Sequence, residues 1–517
     1  MRQIRTLTSA IPPSTLRPLA LGLSVVGLFA STIAQAVRVN ADGHGQALIY
    51  PYYTARSTPG ANAYVTAVSV TNVSSKPKAL KVRFLEGKAG AQVFDFNLFL
   101  AAYDVWTAGI VGAGTGAGLF TQDNSCTLPK ISNSSITPTK FGNAAYVGDL
   151  LGDSLDRTYE GYFEVLEMGV IDPLSALGVS VTHSQDLSSP NASKPPCSNL
   201  PLTNVVPVGL SRPSGGLVGN ASYINLNEGT DYSVDAIALS QWSDKVQWSA
   251  AGNARPNLAD ASPFASYVVN TQDAGDIAYL SKWNSGRDAV TALFMVNSVR
   301  NDFSVEPAIK AATDWLLTLP TKRFYVSAAK IEPPFGGGKA GSLSSPSYIC
   351  ELRAPNCGVD GYYDRESQSP GCPIDFAAGI VAIEPKLCGA ASMLTFTPNA
   401  GSATVSHVFG STTGENLPLN GTWINGWLDF VANAVAGSPM LSEVSRLAAP
   451  TGATTIINTG TGQSTSGASV TYFGLPIVGF AAQSYGTSGL PGVNPNVLSN
   501  YGGLFNHKFT RRIEVGQ

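Results

Sequence analysis

Residues 80–100 read LKVRFLEGKAGAQVFDFNLFL, and this stretch has the clearest structural pattern in the sequence. Apolar side chains take every second position at its start, with Lys81 and Arg83 between them, and the alternation returns around Asp95 after a glycine-containing turn. Successive side chains of a β-strand point to opposite faces of the sheet. The stretch therefore predicts a β-hairpin with one apolar face and one hydrated face that carries Lys81, Arg83 and Asp95.

The sequence before this hairpin contains two more runs with strand character. Residues 64–73 are rich in β-branched side chains, and residues 46–53 are aromatic and aliphatic, with Pro51 placing that run at a sheet edge. Four short strands at this spacing favour a β-sandwich of immunoglobulin-like architecture. We expect a mainly β protein with two or three such domains, long disulfide-stapled loops and a few short helices. The expected segments are a signal peptide (1–36), an N-terminal β-sandwich domain with a Ser/Pro-rich loop (37–220), a second β domain with a cysteine-rich loop (221–392) and a C-terminal β-rich region (393–517).

The composition supports this fold class and excludes several others. Charged residues make up 13% of the 517 residues, against the ~25% usual for soluble proteins, and glycine and proline number 53 and 33. These figures argue against a coiled coil, a helical bundle, a disordered tail and a nucleic-acid-binding protein. They favour a turn-rich β protein with a neutral surface.

Parts of the second expected domain repeat parts of the first. The tripeptide VTA at 65–67 recurs at 290–292, and the pattern Ala-Ala-x-Asp at 101–104 recurs at 311–314. A duplicated β unit is one interpretation of this echo, and chance is the other. Apolar spacing also predicts short helices at residues 234–242, 308–319 and 424–436.

The first 36 residues have the features of a signal peptide. Arginines without any acidic residue precede an apolar stretch at 19–33, and Ala34-Gln35-Ala36 provides the small residues that signal peptidase accepts. An uncleaved anchor is the alternative. No later stretch reaches 18 consecutive apolar residues, so we expect a mature chain without a transmembrane helix. The expected location is the periplasm, the outer surface or the extracellular medium.

All six cysteines lie beyond the expected signal peptide. An even number of cysteines in an exported chain predicts disulfides rather than a metal site, and the lack of C-x-x-C spacing supports this. Four of them cluster with open connectivity, and Cys126 with Cys197 is the expected remaining pair. The six are Cys126, Cys197, Cys350, Cys357, Cys372 and Cys388.

Short motifs predict no cofactor and no metal. The glycine-rich segment 112–117 fits a dinucleotide fingerprint but no helix pattern follows it, and 335–340 lacks the Ser or Thr of a phosphate loop. Residues 40–46 resemble a calcium loop without its anionic anchors. No G-x-S-x-G segment occurs. The four histidines have polar loop or edge contexts and are expected to be exposed: His44, His183, His407 and His507.

Carboxylates provide the candidate binding residues. Glu164 and Glu167 lie on one apolar strand-like segment, and a second group of acids lies beside tyrosines in the cysteine-rich loop. Paired carboxylates serve glycoside hydrolysis, and acids beside tyrosines suit the binding of sugars or calcium. A loop salt-bridge cluster is the alternative interpretation. The candidate ligand-binding residues of the loop are Asp360, Tyr362, Tyr363, Asp364, Arg365 and Glu366.

Two stretches resemble a group of exported, functionally uncharacterised proteobacterial proteins. They are residues 313–326, TDWLLTLPTKRFYV, and residues 45–53, GQALIYPYY. The resemblance implies a Gram-negative origin and a β-rich envelope or surface protein, and it carries no catalytic residues with it.

These features support two functional hypotheses. The first is an exported protein of the cell envelope or cell surface with a structural, adhesive or binding role, because a neutral surface requires little desolvation of charge on contact. Its expected partners are other envelope proteins, further copies of the chain or glycans, and not nucleic acid. The alternative is a secreted hydrolase acting on a polymer such as polysaccharide, with its carboxylates at 360–366. The sequence favours the first hypothesis, in which the protein is not an enzyme.

Overall fold

The computed structural model describes most of the chain after the expected signal peptide. The described residues are 36–58, 62–149, 151–184, 194–271, 275–327, 331–335, 352–353, 361–366, 386–387, 389–397, 406–419, 424–432, 445–486 and 500–516. Residues 1–35, Asp360 and four cysteines lie outside these ranges, the cysteines being Cys350, Cys357, Cys372 and Cys388.

The first half of the described chain is built almost entirely from β-strands. In chain order they are β1 (Arg38–Val39), β2 (Ala47–Thr54), β3 (Ser57–Thr58), β4 (Asn62–Asn72), β5 (Lys78–Glu86), β6 (Gln92–Leu100), β7 (Val105–Gly112), β8 (Ala117–Phe120), β9 (Cys126–Leu128), β10 (Thr139–Lys140), β11 (Glu160–Ile171), β12 (Leu210–Ser211), β13 (Leu217–Asn225), β14 (Thr230–Asp235), β15 (Ile237–Ser240), β16 (Phe264–Thr271) and β17 (Gly275–Lys282).

The second half has the same character. Its strands are β18 (Met295–Val296), β19 (Ser298–Ser304), β20 (Ala312–Thr318), β21 (Leu352–Arg353), β22 (Gly361–Asp364), β23 (Lys386–Leu387), β24 (Ala391–Thr397), β25 (Gly414–Pro418), β26 (Asn425–Val431), β27 (Arg446–Ala448), β28 (Thr454–Asn458), β29 (Ser464–Phe473), β30 (Leu475–Pro476), β31 (Val478–Gly486), β32 (Asn500–Asn506), β33 (Lys508–Thr510) and β34 (Arg512–Gly516). The helices of the described residues are α1 (Ala176–Val181), α2 (Gly286–Phe294) and 3-10 turns at Leu155–Tyr159, Leu258–Asp260, Pro307–Ile309 and Lys322–Phe324.

Two large sheets enclose the main core of the N-terminal half. One has eight strands in the order β1-β15-β2-β11-β5-β6-β9, with β12 beside β11, and the other has seven in the order β10-β8-β7-β4-β13-β14, with β3 beside β4. Leu80 and Val82 of β5 share one apolar cluster with Trp106 and Ile110 of β7. The mainly β prediction is therefore confirmed, and the immunoglobulin-like assignment stays a prediction.

The eight-stranded sheet also packs on its other face. Ile49 and Leu166 point away from the first core and pack with Leu293 of α2 and with Tyr472 of β29. Strand β29 belongs to a six-stranded sheet in the order β16-β17-β28-β29-β27, with β34 beside β29. Because strand side chains alternate between faces, one central sheet contributes to two cores.

Two further sheets complete the C-terminal half. A five-stranded sheet has the order β25-β24-β20-β31-β32, and a four-stranded sheet has the order β22-β26-β19-β33. Trp315 of β20 packs with Phe303 and Leu428 in a third core, while its neighbour Leu316 points into the first core. The two halves are therefore joined by shared apolar packing. The short pairs β18–β30 and β21–β23 are separate two-stranded sheets.

The structure corrects the three helix predictions. Residues 234–242 contain the end of β14 and β15, residues 308–319 contain β20, and residues 424–432 contain β26. Their apolar residues are buried by pairing between neighbouring strands, such as β20 between β24 and β31, which outweighs local helical spacing. The sequence echo also falls on different structures, because 65–67 lie in β4 and 290–292 lie in α2.

The predicted hairpin is confirmed as β5–β6, but its charged face is buried. Lys81 and Arg83 are 0% and 2% exposed. The segment 243–257 covers them, since Lys81 Nζ donates to Ala250 O at 2.9 Å and to Asp95 Oδ2 at 3.0 Å. The predicted hydrated face was wrong because a distant loop supplies backbone carbonyls that replace water as acceptors.

The disulfide prediction is confirmed for one pair. Cys126 and Cys197 form a disulfide that joins β9 to the segment beyond α1, across 71 residues of sequence. No helix among the described residues is long and apolar enough to cross a membrane.

Candidate functional site

A cleft with a volume of about 470 Å³ opens between the two halves of the molecule. Its walls come from the turn after β1, from β14 and β15, from the end of α2, and from the segment β31–β33. We call this cavity the cleft. Elements that are far apart in sequence meet here because the N-terminal and C-terminal sheets share their packing.

Helix α2 places apolar side chains at the base of the cleft. Ser285 caps its N-terminus, with its hydroxyl accepting from Asp288 N at 3.2 Å, which satisfies a backbone donor that has no helical partner. The helix ends at Phe294, and the chain continues directly into β18, where Met295 lies opposite Pro476 of β30. Leu293 and Phe294 thereby reach the cleft from its buried side.

Strand β31 lies unusually close to β20 at the cleft wall. Gly479 has φ +149°, and a Cβ atom at this position would overlap Leu316 O. Glycine permits both the backbone angle and the approach. The same Leu316 carbonyl faces the cleft residue His507, as described below.

Apolar side chains and polar groups both line the cleft, and the apolar surface is the larger part. Its apolar side chains include Val234, Ile237, Leu293, Phe294, Val299 and Ile477. The polar and charged groups include Asn40, Asp235, Asn506, His507 and Arg511. Such a combination of apolar walls with a few polar groups is typical of small-molecule binding sites.

His507 is held as a neutral imidazole, contrary to the prediction that it is exposed. Its Nε2 lies 3.0 Å from Leu316 O, and its Nδ1 lies 3.2 Å from Asn301 Nδ2. Nε2 therefore donates and Nδ1 accepts. Burial lowers the pKa of His507 to about 4. It was predicted to be exposed because its neighbours Asn506 and Lys508 are polar, but its ring packs against Trp315 at a centroid distance of 5.1 Å.

Arg511 places a cation at the cleft without a carboxylate partner among the described residues. Its guanidinium carbon lies 4.0 Å from the ring centroid of Tyr267 and 4.7 Å from that of Phe509. One nitrogen, Nη1, donates to Val268 O at 3.0 Å, while Nε is buried and makes no hydrogen bond within the described ranges. Burial lowers the pKa of Arg511, opposed by the nearby tyrosine hydroxyls.

The loop residues that the sequence singled out lie elsewhere. Tyr363 belongs to β22 and stacks on Trp427, with ring centroids 4.6 Å apart, and Arg365 pairs with Glu366 at 3.2 Å in exposed positions. Tyr362 lies opposite Leu428 in the sheet, Asp364 accepts from the backbone of Glu366, and Asp360 lies outside the described residues. None of the described residues 361–366 lines the cleft. Ligand binding by this group, and the hydrolase hypothesis that depends on it, stay predictions.

The two strand carboxylates, Glu164 and Glu167, are engaged in separate buried ion pairs. Glu164 lies 2.8 Å from Arg323 Nη2 and 3.2 Å from Arg83 Nε. Glu167 lies 2.6 Å from Lys78 Nζ. Both carboxylates are fully buried. Arg323 and Arg83 neutralise Glu164, and Lys78 neutralises Glu167. We therefore interpret both glutamates as structural residues.

Asp314, in the stretch 313–326, fixes one loop to β20. Its buried carboxylate accepts from Val408 N at 2.7 Å, from Phe409 N at 3.2 Å and from the Thr395 hydroxyl at 2.7 Å. Burial raises the pKa of Asp314, and these hydrogen bonds oppose that shift. The carboxylate thus organises the loop that brings Phe409 into the first core.

The sequence did not predict the cleft, because few of its local patterns indicate one. Its residues are drawn from positions near 40, 235, 294, 478 and 507. One local signal exists in the alternation of Phe509 and Arg511 on one strand-like segment, which places an aromatic ring beside a cation.

Comparisons of the chain with family models, with curated proteins and with solved structures found no match. The resemblance of residues 45–53 and 313–326 to exported proteobacterial proteins stays a prediction. The proposed function of the protein therefore depends on the geometry of the cleft.

Proposed function

We propose that this protein is exported to the cell envelope or cell surface and acts there by binding, with the cleft as its binding site. The observation that carries the proposal is the cleft itself, a cavity of about 470 Å³ with apolar walls and a few polar groups. Cavities that bind small molecules have volumes of about 300–1,000 Å³ and this kind of lining.

The proposal of export has separate support. The first 36 residues have signal-peptide character, and the Cys126–Cys197 disulfide fits an oxidising compartment. An immunoglobulin-like arrangement of the N-terminal sheets, a Gram-negative origin and adhesion to envelope proteins or glycans remain part of this proposal. Cell fractionation of the full chain tests it: we expect an exported species that begins at Val37, and a product found only in the cytoplasm with its N-terminus intact would contradict export.

The binding role is tested with a neutral apolar fluorophore, N-phenyl-1-naphthylamine, on the purified exported protein. We expect its fluorescence to rise on binding in the cleft. Ser233 lines the cleft and bonds to Ser222 at 2.6 Å, whereas Ser222 does not line it. Ser233→Trp should abolish the signal by filling the cleft, and Ser222→Trp, which loses the same hydrogen bond, should retain it. Absence of a signal, or equal loss in both variants, would contradict binding in the cleft.

A further inference from the structure

We propose that the ligand of the cleft is an amphipathic carboxylate, whose alkyl chain packs on the apolar walls and whose head group pairs with Arg511. This inference rests on the proposed function, because it names the chemical class of ligand for the same cleft. Three features of the described residues support it: the charge of Arg511, the unpartnered Nη2 of its guanidinium and the apolar side chains of the lining.

Among the residues that the structure describes, Arg511 lacks the carboxylate partner that four other partly or fully buried arginines have. Arg56, Arg83, Arg157 and Arg323 each have a carboxylate oxygen within 3.2 Å. Across the described part of the chain, Arg511 has no carboxylate at ion-pair distance. A partly desolvated cation without a counter-ion is costly, and an anionic ligand would compensate that cost.

The guanidinium of Arg511 is held in a fixed plane with one terminal nitrogen unpartnered in the described part of the chain. It lies over the rings of Tyr267 and Phe509, and its Nη1 donates to Val268 O. Nη2 makes no hydrogen bond to any described residue, while Nε is buried and also lacks a partner. A ligand carboxylate would accept a charge-assisted hydrogen bond from Nη2, and such bonds are shorter and stronger than those between neutral groups.

The rest of the lining selects the remainder of the ligand. The side chains of Leu293, Phe294 and Ile477, which line the same cleft as Arg511, offer only apolar contact. Asp235 is the one acid among the described residues that line the cleft, and its negative charge disfavours ligands with several anionic groups. His507 is neutral and uses both ring nitrogens, so it adds no second cation. The combination favours a single anionic head on an apolar chain.

The test is displacement of N-phenyl-1-naphthylamine from the purified exported protein at pH 7 by dodecanoate and by dodecanol, both below their micelle or solubility limits. The alkyl chains are matched, so a difference reports on the head group. We expect dodecanoate to displace the fluorophore at about tenfold lower concentration than dodecanol, as a charge-assisted hydrogen bond would give. Arg511→Gln should remove this preference, so that dodecanoate and dodecanol displace the fluorophore at similar concentrations.

The controls separate failure of this inference from failure of the proposed function. Arg512→Gln changes a neighbouring arginine that pairs with Glu514 and should keep the preference. Equal displacement by both compounds from the wild type, or an intact preference in Arg511→Gln, would overturn the inference that the ligand is a carboxylate. Either result would still be compatible with the cleft as a binding site. Lack of fluorophore binding would overturn the proposed function itself. If Arg511→Gln does not fold, the wild-type comparison together with Arg511→Lys decides, since lysine keeps the charge but loses the planar guanidinium held over Tyr267 and Phe509 and should weaken the preference.

Discussion

Lys78 and Glu167 face each other inside the molecule, with 2.6 Å between Nζ and Oε1 and with both side chains fully buried. Lys78 also donates to the Ser214 hydroxyl at 2.8 Å, and Glu167 accepts from the backbone of Ser214 and Gly215. Each charge has lost water and gained several protein partners. Such a pair contributes little net stability to the folded protein. Removal of one partner is nevertheless costly, because the remaining charge would be buried without compensation.

We predict that Lys78→Met lowers the free energy of unfolding by about 3–5 kcal/mol, because it leaves Glu167 charged and buried. The double variant Lys78→Met/Glu167→Gln should lose less than the sum of the two single losses. Urea denaturation followed by circular dichroism measures all three. Arg365→Gln is the matched control, because the Arg365–Glu366 pair is 69% and 67% exposed and such pairs contribute less than about 1 kcal/mol. A loss for Lys78→Met as small as that of the control would contradict the prediction.

The buried imidazole of His507 predicts a pH dependence of stability. The unfolded chain binds this proton near pH 6.5, whereas burial lowers the pKa in the folded protein to about 4. The unfolded state therefore binds more protons between these values, so stability is complete above pH 6.5 and falls as the pH drops toward 4. The loss from this group is about 3 kcal/mol. His507→Gln should lose this part of the pH dependence in urea denaturation at pH 7 and pH 4.5, while His44→Gln, at an exposed position, should keep it.

Lys81 and Arg83 show which features of the strand can be predicted from the local sequence and which cannot. The alternation of 80–84 correctly predicts a strand and correctly separates its two faces. It does not determine whether the polar face meets water, because that depends on a segment more than 160 residues away. Arg83 donates to Ala254 O and Pro256 O, and no local pattern predicts that these carbonyls cover it.

Strand β13 runs antiparallel beside β4, and at Gly219 there is no room for a side chain. A Cβ at Gly219 would overlap the Tyr50 hydroxyl and lie 2.6 Å from Ser69 O, the acceptor of that hydroxyl. We predict that Gly219→Ala lowers stability by about 1–3 kcal/mol through overpacking. Gly112→Ala in the same sheet is the control, since its Cβ would have no neighbour closer than 3.7 Å, and it should change stability by less than about 1 kcal/mol. Equal denaturation midpoints for the two variants would contradict the prediction.

Element type was predicted well where side chains alternate and poorly where apolar residues run together. The run Trp315–Leu319 suits a helix as well as a fully buried strand, because both faces of β20 are covered. Trp315 packs in one core and Leu316 in another. Only the positions of β24 and β31 on either side distinguish these alternatives, and pairing over such sequence distances leaves no local trace.

The cleft was not predicted from the sequence for the same reason. The candidate site at 360–366 lies within one loop, where neighbouring residues carry suitable groups. The cleft instead combines Asn40 and Arg511, from opposite ends of the described chain. Its apolar walls are ordinary core-type side chains, and only the arrangement of the sheets leaves them beside a cavity.

Phe409 gives a test of whether the two halves behave as one unit. Its ring contacts Tyr52, Tyr64 and Tyr223 of the N-terminal sheets and Phe480 of the C-terminal half, with centroid distances of 5.4–6.1 Å. We predict that Phe409→Ala lowers the free energy of unfolding by about 3–5 kcal/mol, as loss of a buried aromatic ring does. Because one core spans both halves, hydrogen exchange should accelerate in β4 and β13 as well as in β31.

The control for this last prediction is Phe505→Ala, because that ring is 46% exposed and its loss should change stability by less than about 1 kcal/mol. Exchange that accelerates only within residues 406–419 would mean that Phe409 anchors its own loop and nothing more. Unfolding in two separate transitions would equally contradict a shared core. A single transition that shifts as a whole requires the contacts across the halves to be cooperative.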